Sequence, residues 1–343
     1  MERMMIVLGV GLMGLCAPVA EGLYDPGERS LMSAHNCYPY AGMWNDRIDR
    51  ALGTGYPLSI EQDLSWADPD GDGVFTSVVA HNGPFDGGEP TLQEYFFERV
   101  RRDIEESIAR AASDPTEQER WPLVVLDLDI KDDDLDHVRA IHRSLMLHRA
   151  WLMTAERAGH IEERMPLRAG PILVLLQGTP NQRLVFHDEI AMGDAVIAFG
   201  RREAAGPDTD GMGEREKREA AVSFSPSAMI DQPADNFHRW WNNSWHVVEA
   251  GGVKHGGDWT ATDDERLRAL IEHAHAMGYF IRFYTVNGHS AAEAVMFGYG
   301  GGYNIGSIEE ARMRWRAQIE AGVDLIATDQ YRAFDALRDS LSE

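Results

Sequence analysis

The chain has 343 residues, enough for one large α/β domain or two smaller ones, and its 44% apolar content supports a sizeable core. A formal net charge of −24 argues against nucleic acid as a partner, because such a surface repels polyanions, and against adsorption to anionic membranes. The acidic excess is spread along the chain and forms no tail. Met1-Glu2-Arg3 opens a pattern of one basic residue, an uncharged apolar run over residues 4–16, and small residues at Ala17, Ala20 and Gly22. That order predicts an export signal, residues 1–22, cleaved near Ala20 or Gly22. The run is short for a bilayer span. The expectation is a secreted or periplasmic protein of one domain, residues 23–343, with no stable membrane insertion after signal removal. Cys37 would then be the one remaining cysteine, so no internal disulfide is expected.

Ser33-Ala34-His35-Asn36-Cys37-Tyr38-Pro39 follows a short apolar run and puts a histidine and an amide at a strand end. A short helix is predicted over residues 45–52 and a strand over 58–64. Glu61 and Asp63 fall two apart on that strand, which places both carboxylates on one face. Asp68-Pro69-Asp70-Gly71-Asp72-Gly73 is read as a turn that resembles half of a calcium loop but lacks its glutamate, Val79 standing there instead. The β-like run over 74–81 ends on His81. Residues 91–112 form a helix with a Thr91/Glu94 capping box.

The run over 123–130 is nearly continuous in apolar residues, as in a strand covered on both faces, yet Asp127, Asp129 and Lys131 alternate along its end. Charges on a buried strand need partners or a metal. A second long helix is predicted over 134–158. Strands are predicted over 172–177, 195–199 and 221–224, and a polar loop with a helical turn over 201–218. Residues 237–245 hold Trp240, Trp241 and Trp245, more than one helix face would bury. They are read either as a helix wedged over a barrel rim or as an aromatic wall for a substrate. A helix over 263–277, a strand over 279–286 ending at Asn287, a Gly/Tyr-rich loop near 298–302, a helix capped by Ser307 and Glu310, and a strand over 323–327 complete the order, with a closing helix.

Strand and helix alternate without a break suggesting a second domain, which predicts a mostly parallel sheet with helices outside. Nine strand candidates are one more than a (β/α)8 TIM barrel needs, so one is expected to be a hairpin partner or no strand at all. Polar residues end at least five of them, and in such a barrel these ends share one mouth. An open doubly wound sheet would not converge them on one point, and no Gly-rich nucleotide loop follows the first strand.

These residues resemble the phospholipase C-like phosphodiesterase superfamily, which includes glycerophosphodiester phosphodiesterases and phosphoinositide-specific phospholipases C. His35-Asn36-Cys37-Tyr38 resembles the His-Asn-x-Tyr of the second branch, where the histidine is catalytic and the asparagine binds calcium. Glu61-x-Asp63 matches the metal-binding E-x-D of both branches, and His81 the second catalytic histidine. Asp129-x-Lys131 matches an E-x-K strand with aspartate in place of glutamate. Thr285-Val286-Asn287 and the segment 322–329 look like the first branch, whose usual His-Arg-Gly opening is absent here. The resemblance implies a barrel with its site at the strand C-termini and a phosphodiester substrate, glycerophosphodiester or phospholipid-headgroup in type.

The chemistry agrees with that implication. Asn36, Glu61, Asp63 and Asp129 are oxygen donors suited to one Ca2+ or Mg2+ ion, not to zinc. His35 and His81 would supply base and acid near neutral pH, His35 taking the proton and His81 returning it or the reverse. Lys131 would hold a phosphate oxygen or balance the carboxylates, with Asn287, Trp240 and Trp241 as further substrate contacts. The competing reading is a non-catalytic secreted barrel that binds a metal or sugar.

Overall fold

Eight strands close into a parallel barrel in the computed structural model, which describes residues 25–39, 45–203, 210–250, 257–296 and 304–342. They are β1 (Leu31–Ala34), β2 (Leu58–Ala67), β3 (Val124–Ile130), β4 (Ile172–Leu176), β5 (Phe199–Arg201), β6 (His238–Ser244), β7 (Phe280–Tyr284) and β8 (Leu325–Thr328). Each pairs in parallel with its neighbour in sequence, and β8 pairs with β1 to close the ring. The expected signal segment and the loop near 298–302 lie outside the described residues.

Alternation along the strands sorts the side chains into two shells. Met32, Ile60, Leu126, Val174, Trp241, Ile281 and Ile326 face outward into the main core under the helices. Leu31, Leu123, Val125, Leu173, Leu175, Phe199, Trp240 and Leu325 fill the barrel's interior as a separate apolar cluster. Toward the C-terminal ends the interior turns polar, with Ser33, Glu61, Asp63, Asp127 and Arg282 all buried. The barrel thus has an apolar floor and a charged mouth.

The helices are set by local signals. Asp134 caps Leu135–Met146 by accepting from the backbone N–H groups of Asp136 and His137. Thr260 and Asp263 form a reciprocal box at the start of Ala261–Ala276. Thr91 and Glu94 do the same where sequence expects it, ahead of a wide turn, Gln93–Phe97, that leads into Glu98–Ser113. Ser307 caps Ile308–Ala321, but Glu310 turns to Arg314 at 2.6 Å, so the expected box is one-sided. Gly322, at φ 85°, ends that helix in a left-handed cap that only glycine adopts without strain.

Several expectations are corrected. The run ending at His81 is the hairpin partner: Thr76–Val79 pairs antiparallel with β2, outside the ring. Residues 221–224 are not a strand, because Ala221 to Ser223 finish the helix Glu214–Ser223. The missing eighth strand is β6, the tryptophan-rich stretch read as a rim helix or aromatic wall. Its apolar side chains exceed one helix face because a strand buried on both sides needs two. The segment 195–199 divides: Ala195–Val196 joins Thr154–Glu156 and Leu167–Arg168 in a small outer sheet, and β5 begins at Phe199. The helix expected over 134–158 stops at Met146. The acidic turn closes on itself through Asp68, which accepts from the N–H groups of Asp72 and Gly73.

Candidate active site

The register between β2 and β3 sets Glu61 beside Asp127 and Asp63 beside Asp129. Paired parallel strands lie about 4.8 Å apart, so four carboxylates crowd one patch of the barrel mouth. Two cations answer them from within. The Lys131 ammonium lies 2.8 Å from Asp63 and 2.6 Å from Asp129. The buried Arg282 guanidinium lies 3.4 Å from both Glu61 and Asp127 and donates to Ser33 Oγ. Negative charge remains in excess. Burial, with Glu61 beside it, pushes the Asp63 carboxyl well above the usual range. Burial also pushes Asp127 up to about 7 against the pull of Arg282, and its Oδ2 accepts no hydrogen bond. Burial works the same way on Asp129, but the Lys131 ammonium and Gln177 outweigh it and hold that carboxyl low. Glu61, Asp63 and Asp129 each bring an oxygen within 4.8 Å of the others. An all-oxygen set with surplus negative charge fits a hard divalent cation.

His35 stands where β1 opens into the mouth. Its Nδ1 faces both Asp329 oxygens at 3.3 Å, which leaves Nε2 directed at Glu61, 3.7 Å away. Burial alone would lower its pKa, but the charges of Glu61 and Asp329 prevail and raise it. Asp329 is itself fixed. Arg47 donates to it at 3.0 Å, and Asn287 donates through Nδ2 while accepting from its backbone N–H. Although burial opposes ionisation, His35 and Arg47 hold Asp329 well below the usual carboxylate range. Arg47 also donates to the His35 carbonyl and to Tyr331 Oη.

His81 arrives from the hairpin. Its side chain is 42% exposed, and Nε2 lies 4.0 Å from Asp63. Partial burial and the Lys131 charge lower its pKa, opposite to His35. Ser65 Oγ donates to the Ala80 carbonyl and Ala80 N–H to the Asp63 carbonyl, tying this turn to the strand that carries the carboxylates.

A cavity of about 720 Å³ unites His35, Asn36, Glu61, Asp63, His81, Asp129, Lys131, Asn287 and Trp240, so nearly all the residues expected from sequence share it. Three of the residues expected from sequence, Asn36, Asn287 and Trp241, are engaged otherwise. The Asn36 backbone N–H fixes Glu61 at 3.0 Å, while its side-chain nitrogen goes to Asp329 and its oxygen accepts from Tyr38. Lys131 balances the carboxylates, one of the two roles expected of it. The Asn287 amide positions Asp329. Trp241 is the correction: it is fully buried in the outer core beside Phe283, because its neighbour Trp240 takes the inward face of β6. Cys37 is buried with its thiol pushed up to about 12 by burial, which suits a core residue and not a nucleophile.

Sequence reasoning left Asp127, Arg282, Asp329 and Arg47 out of the site. Asp127 was signalled by its alternation with Asp129, and Asp329 by ending the last strand. Arg282 sits inside an apolar strand, where an unexplained charge is itself the signal.

No family model matches the chain, and no curated protein does. Among solved structures it is similar to a glycerophosphoryl diester phosphodiesterase from Parabacteroides distasonis, with 12% identity over 93% of this chain and 89% of that one, at TM-score 0.42. It is also similar to a Plasmodium falciparum HPPK-DHPS solved with pteroate, with 10% identity over 92% of this chain and 49% of that one, at TM-score 0.44. The chain therefore spans about half the length of the latter. The barrel assignment rests on the strand pairing itself.

Proposed function

We propose that the chain is a metal-dependent phosphodiesterase acting on a small phosphodiester, of glycerophosphodiester or phospholipid-headgroup type, by acid–base catalysis between two histidines. The observation that carries this reading is the placing of two imidazoles against one oxygen cluster, His35 Nε2 3.7 Å from Glu61 and His81 Nε2 4.0 Å from Asp63. Glu61, Asp63 and Asp129 would hold one Ca2+ or Mg2+ ion, and Asn36 would steady Glu61 through its backbone. When bound, that ion neutralises the diester's charge and the charge growing in the transition state.

The rest is done by the chain's own groups. Asp329 orients His35 so that Nε2 faces the cavity. The charges of Glu61 and Asp329 favour a protonated His35, while partial burial and the Lys131 charge favour a neutral His81. On that basis His81 takes the proton from the attacking oxygen, of water or of a neighbouring substrate hydroxyl, and His35 protonates the departing alkoxide. This reverses the assignment put first from sequence. The export signal over residues 1–22 would deliver the protein outside the cytoplasm.

Hydrolysis of bis(p-nitrophenyl) phosphate tests the reading. Release is expected with calcium or magnesium, is abolished by chelator, and falls at least about a hundredfold in His81→Ala. Thermal unfolding of that variant is expected to stay nearly unchanged, because the side chain is only partly buried at the cavity edge. Full activity in His81→Ala would remove it from the mechanism.

A further inference from the structure

Arg201 lies at the end of β5 and lines the same cavity. Among the described residues its guanidinium makes no hydrogen bond or ion pair, and its Nε is buried without an acceptor. Its neighbour Arg202 points the other way and is held by Asp235 at 2.5 Å and Tyr279 at 3.1 Å. Arg47, Arg266, Arg282 and Arg314 likewise each have acceptors from the chain. Asp127 feels the Arg201 charge, but the contact Asp127 makes is with Arg282. A partly desolvated guanidinium with no acceptor is costly, and its fork of donors fits a phosphate or carboxylate.

The backbone is built to hold it there. Gly178, at φ +81°, lies so close to the Arg201 backbone that a Cβ would collide with the Arg201 carbonyl. The barrel's order places β5 across the mouth from β1, with three strands between them on either side. His35 follows β1, and the carboxylate cluster stands on β2 and β3. The reacting phosphate therefore belongs beside His35 and the carboxylates, and Arg201 stands across the mouth from them on β5.

We propose that Arg201 is a substrate-binding residue that receives a second anionic group, a phosphate monoester or carboxylate, carried by the alcohol half of the phosphodiester. This rests on the phosphodiesterase reading for its substrate but not for its anion. It gives the cavity a metal-holding acidic patch for the bond that breaks, and one arginine across the mouth that selects what the phosphate is attached to.

Two p-nitrophenyl phosphodiesters of glycerol, differing only by a terminal phosphate monoester, test the proposal. Arg201→Gln is expected to raise KM for the phosphate-bearing diester by at least about tenfold, the size of one charge-assisted hydrogen bond, with kcat nearly kept. The plain diester should be unaffected, and Arg201→Lys should recover part of the loss. Equal weakening of both diesters, or of neither, overturns the proposal. A second arm needs no turnover. Calorimetry with inorganic phosphate and chelator present should show binding by the wild type and none by Arg201→Gln. Equal binding by the two proteins, or binding by neither, also overturns it. Arg201-dependent phosphate binding without hydrolysis of any diester would sink the proposed activity and leave the anion site standing.

Discussion

Arg47 shows how much of this site depends on a residue that faces no substrate. It is 1% exposed, and one guanidinium serves Asp329, Tyr331 and the His35 carbonyl. Removing one partner of a buried pair leaves the other charge stranded, at a cost of about 3–5 kcal/mol. Arg47→Ala is therefore expected to lower stability by about 3 kcal/mol, read from the urea midpoint at constant slope. It should also reduce turnover, because Asp329 no longer holds His35 in place. A loss below about 0.5 kcal/mol, the range of an ordinary surface change, would mean that Asp329 does not depend on this contact. The sequence marked Arg47 only as part of a short helix. Nothing local tells that its side chain reaches a residue 282 positions away.

Among the elements, the hairpin that carries His81 is joined to the helix Leu135–Met146 by one histidine. His137 is fully buried, with Nε2 2.8 Å from Ser77 Oγ, Nδ1 3.0 Å from Asp132, and Trp66 stacked on its ring. Burial holds its pKa below the ordinary 6.5 despite the Asp132 charge. The unfolded chain therefore takes up this proton first as pH falls. The stability His137 contributes is complete above about pH 6.5 and drains below it. Urea unfolding at a series of pH values should show a shallower fall below pH 6.5 in His137→Gln than in the wild type. Identical slopes would contradict this. The hairpin itself was legible as one strand too many. The identity of the surplus strand was not, because antiparallel pairing with β2 is a long-range choice. The exchange of β6 for residues 221–224 has a plainer cause. A seven-residue strand buried on both faces carries no alternation, and Ala221 to Ser223 resemble a strand only when cut from the helix before them.

For the whole molecule, the parallel barrel was legible because its strands end on polar residues, and a closed ring is what brings such ends to one mouth. His35, Glu61, Asp63, His81, Asp129 and Lys131 could be listed from sequence by that rule, and they share one cavity. What sequence could not supply was the register that doubles Glu61 and Asp63 with Asp127 and Asp129. Nor could it supply the inward turn of Arg282 and Arg201 from distant strands. Those pairings set Arg282 among the carboxylates and leave Arg201 across the mouth on β5. No helix among the described residues is long and apolar enough to cross a membrane. The account stands on the acidic side holding one hard cation, and calorimetric titration with Ca2+ and Mg2+ measures that directly. One ion is expected to bind the wild type, with binding lost or weakened at least about tenfold in Asp63→Asn. No binding, or undiminished binding by Asp63→Asn, would contradict the account.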